Sequence, residues 1–540
     1  MSCPFVFLPC IKDALRYEQL PQQCVDADTE RAIRVVIDTQ LENAPLRLLH
    51  TTTGLLCDRQ SQISTFKANT EYQQLLLLIT NLPDLLPDLR AELIKEAVEV
   101  YFRCVMLSHR WEGNEPQLHH IKDRDVYKLE AASGIVKLQS FCKVARDEGY
   151  HWAWIDSCCI DQTDKGEVDE SLNSMFTWYR DSALTIVYLS DVPPSSKSGA
   201  LAKSAWNTRG WTVPEFLAPK VIRFYQQDWT LYLDVRSPNH KDSLLIMREL
   251  GSATGIDAGA LVDFQPGMTG AREKLQWASK RVTTRQEDIA YSLFGIFGVQ
   301  LPIFYGEKKQ KALGRLLQEI VAQSGDITAL NWVGKSSEFN SCLPADIFSY
   351  QAPPYAPPSL SEDNIRRLVS SLRNAMAVES ASNLYSLFKN MNPPRFASRR
   401  LQLPCMVFRV TEVRRTPGQA QGACFTYEVE ADGLRDLVVT TENELIEFSR
   451  ARPIRQTFVL VRPWDRCLLE LPEPFGLDSE SHSREFRLMV HLRQPFGALL
   501  LAEQRRGEYK RIASDYDIIA QVRDMASIDD MMDVRRLEIL

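Results

Sequence analysis

The sequence predicts an α/β protein in which a doubly wound parallel sheet is followed by a separate β-rich domain of α+β type. Three features indicate this fold class. Short apolar runs alternate with helical patterns between residues 104 and 235. The segment APPYAPP, at 352–358, has the composition of a linker. Residues 403–512 then carry a series of strand-like runs. Strands that alternate with helices are typical of a parallel sheet covered on both faces.

Composition narrows the classes of function. The chain has 540 residues, of which 44% are hydrophobic and 25% charged, and its net charge is −7. Nucleic-acid binding usually requires a basic face, so no nucleic-acid partner is expected. No apolar run reaches the roughly 20 residues that cross a bilayer. The first ten residues contain two prolines and no basic region, unlike a signal peptide. The twelve cysteines form no Cys-x-x-Cys pair, which favours reduced thiols in a cytoplasmic protein.

The N-terminal part, residues 1–99, is predicted to be a helical extension. Helical character extends over 31–39, 72–79 and 91–100, and prolines at 83 and 87 end the second of these helices.

Residues 100–235 are predicted to form the α/β core. Strands are expected at 104–107, 152–155 and 184–189, with helices at 135–145 and 168–179, where apolar residues recur at helical spacing. The run LTIVYL at 184–189 is continuous and β-branched, as in a central parallel strand. Further strands are expected at 221–225 and 231–233.

The remaining sequence predicts three more segments. Residues 236–335 continue the core with helices, and residues 336–398 form the proline-rich linker and one helix. Residues 399–540 form the β-rich domain, and its strands are expected at 406–410, 425–429, 437–440, 457–461, 486–490 and 498–501.

The carboxylate of Glu215 has two interpretations. Thr212, Pro214 and Glu215 fit a capping box, in which the threonine caps a helix and the glutamate bonds back to it. Alternatively, the carboxylate faces a cleft, where it would stabilise a developing cationic sugar centre. The residues alone leave both interpretations open.

Polar residues also follow the first two predicted strands. Ser108, His109 and Arg110 come after the first, and Arg110 suits either a surface ion pair or a phosphate or carboxylate site. A Ser–His nucleophilic pair is not expected, because adjacent residues on an extended segment point to opposite sides. Asp156 and Asp161 are expected to cap turns rather than to bind a metal ion, and no metal site is predicted. The tryptophans between 152 and 211 are predicted to lie mostly in the core.

These blocks together resemble the HET domain, the heterokaryon incompatibility domain of filamentous fungi. The resemblance covers about half of the chain. It lies in LSHRW (107–111), GIVKLQSFC (134–142), GYHWAWIDSCCID (149–161), NSMFTWYRDSA (173–183), YLSDV (188–192), RGWTVPEFLAP (209–219), EDIAYSLFGIFGV (287–299) and LPIFYGE (301–307).

The resemblance implies a TIR-like core, since HET domains are considered remote relatives of TIR domains. In NAD-cleaving TIR domains, the glutamate of a Trp-x-x-x-Glu helix is catalytic, which implies Glu215 as the catalytic carboxylate. NAD would be a substrate and no cofactor is expected. One carboxylate is sufficient for this chemistry, because nicotinamide needs no general acid to leave. The residues implied on the NAD side are Ser108, Arg110, Trp111, Asp156 and Trp211.

The resemblance also implies a role in non-self recognition, in which HET proteins trigger growth arrest and programmed cell death as a form of fungal innate immunity. Two mechanisms are compatible with it: NAD hydrolysis through Glu215, and a signalling scaffold that forms a homo-oligomer or binds partners through the core. A degenerate relative without toxicity is the third alternative. The C-terminal domain is expected to bind a protein partner, although it carries no ligand signature.

Overall fold

A computed structural model describes residues 27–81, 86–375, 378–416, 424–442, 444–445, 456–464, 466–469, 483–505, 507–522 and 533–540. The first ten residues, on which the signal-peptide prediction depends, lie outside these ranges. The chain divides into two compact units. The first comprises Met1–Val105 and Asn114–Ile160, and the second comprises Met106–Gly113 and Asp161–Leu540.

The first unit combines helices with a small antiparallel group of strands. Its elements are α1 (Ala27–Glu42), β1 (Arg47–His50), β2 (Leu56–Asp58), α2 (Arg59–Ala68), α3 (Thr70–Asn81), α4 (Pro87–Phe102), the start of β3 (Cys104–His109), α5 (Leu118–Ile121), α6 (Ser133–Asp147), β4 (Trp152–Trp154) and α7 (Asp156–Cys159). β1 pairs antiparallel with both β2 and β4. The helices predicted within 1–99 are present as α1, α3 and α4.

The hairpin of β1 and β2 was not predicted within the helical extension. β1 has only four residues, and just two of them, Leu48 and Leu49, are buried apolar residues. So short a run carries no recognisable period. Gly54 makes the connecting turn possible, because its φ of +67° lies in the left-handed region that favours glycine.

The α/β part of the second unit begins with the rest of β3. It continues with α8 (Lys165–Asp181), β5 (Leu184–Tyr188), α9 (Ala200–Lys203), α10 (Thr212–Leu217), β6 (Ile222–Tyr225), α11 (Leu244–Thr254), α12 (Ala258–Val262), α13 (Ala271–Ala278), α14 (Asp288–Tyr291), α15 (Phe294–Phe297) and α16 (Lys309–Ser324). The strand order is β3-β5-β6, and β5 and β6 are parallel. All five residues of β5 are buried, as predicted for a central strand. The predicted α/β class with parallel strands is confirmed.

The strand predicted at 231–233 is wrong. Tyr232–Asp234 forms a 3-10 turn, and Leu233 has a left-handed φ of 57°. The buried hydroxyl of Tyr232 donates a hydrogen bond to the Glu249 carboxylate on α11, at 2.9 Å. This tertiary contact overrides the strand preference of the local sequence.

The C-terminal part of the second unit is β-rich, as predicted. Its elements are α17 (Glu362–Ala375), α18 (Val378–Lys389), β7 (Arg395–Ala397), β8 (Arg400–Arg415), β9 (Phe425–Ala431), β10 (Leu434–Arg435), β11 (Leu437–Thr441), β12 (Phe458–Pro463), α19 (Ser483–Leu492), β13 (Phe496–Arg505), β14 (Glu508–Ile512), β15 (Ile518–Val522) and β16 (Val534–Ile539). The strand order is β10-β15-β13-β14-β16-β8-β9-β11, and β12 pairs with both β13 and β8.

The strand predicted at 486–490 is wrong, because this segment lies within α19. Phe486, Met489 and Val490 are buried in the core of the C-terminal part. Their spacing of three and four residues places them on one face of a helix. A short apolar run of this kind fits either element when it is judged by hydrophobicity alone.

Candidate functional site

The start of α10 places Glu215 inside the second unit. The hydroxyl of Thr212 donates to the backbone carbonyls of Arg209, at 2.9 Å, and of Trp206, at 3.1 Å. Trp211 stands at the N-cap and makes no side-chain cap. Because Thr212 is the first helical residue and acts as a donor, the capping-box interpretation of Glu215 is wrong.

Glu215 instead takes part in a buried hydrogen-bond chain with the end of β3. Ser108 Oγ donates to Glu215 Oε2 at 2.5 Å, and Trp206 Nε1 donates to Ser108 Oγ at 2.9 Å. The exposed fraction is 0% for Ser108, 1% for Trp206 and 4% for Glu215. Short hydrogen bonds to a carboxylate are strong when water is excluded. The chain therefore ties β3, α10 and the loop before α10 together.

Arg281 supplies positive charge to this cluster. The residue is 3% exposed. Its Nη1 donates to the hydroxyl of Thr212 and to the carbonyl of Arg209, each at 2.9 Å. Burial lowers the pKa of Arg281 to about 9, and the charge of Glu215 opposes that shift. A buried arginine is retained in its charged form only where the surroundings compensate it. We call Ser108, Trp206, Glu215 and Arg281 the polar cluster.

The arginine and tryptophan after β3 have a different environment. The side chain of Arg110 is exposed, and Trp111 is 40% exposed. Of the residues implied for NAD, the structure therefore brings Ser108 and Glu215 into contact, while Arg110 and Trp111 lie at the surface. Their roles remain predictions.

The carbonyl of Leu107, next to Ser108, is also held from inside the unit. Tyr179 on α8 donates its hydroxyl to this carbonyl at 2.8 Å, and Tyr179 is fully buried. The first motif of the sequence is thereby anchored to α8 as well as to α10.

Residues 105–200 match the family model for "Heterokaryon incompatibility protein (HET)". This match confirms the resemblance that the sequence motifs indicated. We call residues 105–200 the HET segment. Ser108 lies inside it, whereas Trp206, Glu215 and Arg281 follow it in the chain.

A curated protein is similar over a longer range than the HET segment. It is Vegetative incompatibility protein HET-E-1 of Podospora anserina, and it is 37% identical over 236 residues. The similar part is 42% of this chain and 16% of the relative. The chain thus matches about a sixth of the length of that relative. No solved structure matches, and the TIR-like relationship stays a prediction.

Asp156, the remaining carboxylate of the NAD prediction, lies in the first unit. It is the first residue of α7 and is half-buried, beside the buried Cys158 and Cys159. Burial raises the pKa of the Cys158 thiol, as expected for cysteines that pack in a core rather than react. Asp164 accepts hydrogen bonds from the backbone amides of Gly166 and Glu167, and thus caps α8. Among the described residues, no group of three metal-binding side chains is assembled.

Trp211 belongs to a second carboxylate site, which sequence reasoning missed. Its side chain, like that of Tyr305, lies close enough to Asp288 on α14 to lower the pKa of that carboxyl. The guanidinium of Arg285 lies 3.9 Å from the centre of the Tyr305 ring. Nearby, Gly306 donates its amide to Glu287 at 2.8 Å. These contacts join the two blocks at 287–299 and 301–307, which the sequence marked only by resemblance.

Asp288 should make the stability of the protein depend on pH. Burial raises the pKa of Asp288 from 3.8 to about 6, and the polar groups of Trp211 and Tyr305 offset part of the rise. The folded protein therefore binds this proton more tightly than the unfolded chain. The stability contributed by Asp288 is complete below pH 3.8 and is lost as the pH rises through 6.

We expect the free energy of unfolding of Asp288→Asn to rise relative to that of the wild type as the pH increases from 4 to 7. The expected change in this difference is about 2–3 kcal/mol. Chemical denaturation at a series of pH values measures this difference. Asp242→Asn, at an exposed position, is the control and should follow the wild-type curve. Parallel curves for Asp288→Asn and the wild type would contradict the assignment.

Within the described ranges, every helix is too short or too polar to cross a lipid bilayer.

Proposed function

We propose that this protein acts in fungal non-self recognition of the heterokaryon-incompatibility type, and that its active form arrests growth from the cytoplasm. The observation that carries the proposal is the HET match at residues 105–200. The similarity to a vegetative incompatibility protein of Podospora anserina supports it. Because the aligned part is 16% of that relative, what the two proteins share is a module, and the rest of this chain would set its own trigger.

We infer that the HET segment works as a scaffold that assembles with itself or with a partner. The observation that favours this mechanism is the burial of the polar cluster. A carboxylate that stabilises a reacting ribose must touch it. Glu215 is 4% exposed, is bonded to a fully buried serine and lies close enough to Arg281 to influence its pKa. The carboxylate therefore already interacts with Ser108 and Arg281 inside the folded protein.

NAD hydrolysis is the second candidate mechanism. The contact between Ser108 and Glu215 supports it, because the resemblance to TIR domains implies these two residues for the same site. Trp206 and the start of α10 would have to move before a nicotinamide ribose could reach the carboxylate. The bond between the ribose and nicotinamide would then break, and water would take the place of nicotinamide.

Inducible expression of the full chain in a filamentous fungus tests the proposal and separates the two mechanisms. We expect growth to stop within a few hours of induction while total cellular NAD stays within about 20% of the uninduced level, since a scaffold consumes no NAD. Growth rate and NAD are measured in the same cultures.

A matched control is Glu170→Gln, an exposed glutamate on α8, which should arrest growth as the wild type does. Normal growth at a protein level confirmed by immunoblot would reject the incompatibility proposal. A fall in NAD that precedes growth arrest would instead establish the hydrolytic mechanism.

A further inference from the structure

Strand β6 forms one edge of the α/β sheet, because it ends the order β3-β5-β6. Its inner side pairs with β5, where the amide of Leu189 donates to the carbonyl of Tyr225 at 2.9 Å. Alternate residues of a strand point their backbone groups to opposite sides, so the amides of Ile222 and Phe224 point outward. An edge with free outward groups can pair with a foreign strand, and proteins therefore cover such edges.

The side chains of two successive residues, Asn239 and His240, cover the outward amides of β6. Oδ1 of Asn239 accepts the hydrogen bond of the Ile222 amide at 3.1 Å. Nδ1 of His240 accepts that of the Phe224 amide, also at 3.1 Å. Side chains thus take the place that a neighbouring strand would occupy. We call residues 235–240 the cap segment.

The two ring nitrogens of His240 have opposite roles. Because Nδ1 accepts a hydrogen bond from a backbone amide, it carries no proton. A neutral imidazole then carries its proton on Nε2, which lies 2.9 Å from the carbonyl of Val235 and donates to it. His240 is fully buried. These contacts fit only the neutral ring in one tautomer, because a second proton would place an N–H against the N–H of Phe224.

Burial and one neighbouring charge disfavour the protonated ring. The 3-10 turn of His240 packs against β6, α11 and α12. The charged residues of the turn, and on or next to these elements, are Arg223, Lys241, Asp242, Arg248, Glu249 and Asp263. Burial lowers the pKa of His240 from its ordinary value of 6.5, the hydrogen bond to Val235 opposes this shift, and the charge of Arg223 adds to it. A released cap segment would expose the ring to water, where it binds a proton more tightly.

We propose that His240 is a proton-sensitive latch, which holds the cap segment on β6 while its ring is neutral and releases it when the ring is protonated. Because the released ring binds the proton more tightly than the buried one, release increases as the pH falls below 6.5. Release would leave the outward groups of β6 free to pair with another strand. The proposal does not depend on the mechanism of the HET segment.

Hydrogen exchange of the full chain, resolved to single amides by mass spectrometry, tests the latch. Each exchange rate is divided by the intrinsic rate at the same pH, which gives the open population of that amide. Between about pH 7 and about pH 5.5, we expect the open population of the Phe224 amide to rise about five- to eightfold, as a released histidine gains its proton. The Leu189 amide, on the inner side of β6, is the control and should change by less than about twofold.

His240→Asn is the matched variant, because its side-chain oxygen can accept the hydrogen bond of the Phe224 amide but gains no proton near pH 6. We expect the open population of Phe224 in this variant to stay within about twofold over the same pH range. An unchanged Phe224 amide in the wild type would overturn the proposal. So would an equal rise in His240→Asn, or an equal rise at Leu189, which would show a wider loss of stability.

Nuclear magnetic resonance of the full chain, labelled with nitrogen-15 in its histidine rings, gives a second readout that a merely structural role would not produce. The signals of His240 are assigned by their absence in His240→Asn or in His240→Gln. At neutral pH, they should show a proton on Nε2 alone, and the midpoint of their titration should lie below 6.5. A proton on Nδ1, or a midpoint at or above 6.5, would overturn the latch.

Discussion

Glu215→Gln should lower the free energy of unfolding of the α/β part by about 3 kcal/mol, because the buried guanidinium of Arg281 then loses the negative charge that opposes the fall of its pKa. Glutamine keeps an oxygen that can accept the hydrogen bond of Ser108, so that bond alone does not explain the loss. What disappears is the negative charge that compensates Arg281, whose pKa is already lowered by burial. Chemical denaturation followed by tryptophan fluorescence measures the effect, because Trp206 belongs to the cluster.

A double-mutant cycle shows whether this loss arises from the charges. Arg281→Met alone should also destabilise the protein, since it leaves the carboxylate without its buried cation and removes two hydrogen bonds. The double variant with both substitutions should be about 2–3 kcal/mol more stable than the sum of the two single effects predicts. Additive effects, or a loss below 0.5 kcal/mol in Glu215→Gln, would show that the two residues are not coupled.

The candidate site could be predicted from the sequence in part. Ser108 and Glu215 were singled out, and the structure brings them into contact. The sequence could not supply Arg281, which enters the cluster from a point 66 residues after Glu215 in a stretch without a motif. Nor could it distinguish a helix cap from a buried hydrogen bond, because Thr-Val-Pro-Glu suits both until the direction of the Thr212 hydroxyl is known.

The fold was predictable where the hydrophobic pattern was long. β5 is a continuous apolar run and α8 has apolar residues at helical spacing, and both are present close to the predicted positions. The predictions for short elements were wrong or incomplete for two different reasons. At Tyr232, a buried hydrogen bond to Glu249 imposes a turn on a strand-like run. In β16, the adjacent Arg535 and Arg536 interrupt the alternation of apolar and charged residues, so the sequence predicts no strand there, although β16 pairs with β8.

The prediction with the largest expected effect on function also uses Glu215. If the carboxylate acts by stabilising the fold, then a variant that removes it without leaving a lone buried charge should still arrest growth. The variant with Glu215→Gln and Arg281→Met meets this condition, because it removes both charges of the pair. A catalytic carboxylate could not be replaced in this way, since an amide carries no charge to stabilise an oxocarbenium ion.

Growth of the induced fungus that expresses this double variant is therefore the most direct test of the scaffold mechanism. Protein levels are matched by immunoblot, and NAD is measured in the same cultures. The scaffold mechanism predicts growth arrest as strong as that of the wild type, with NAD unchanged. A double variant that accumulates to the wild-type level and grows normally, while the wild type depletes NAD, would contradict it.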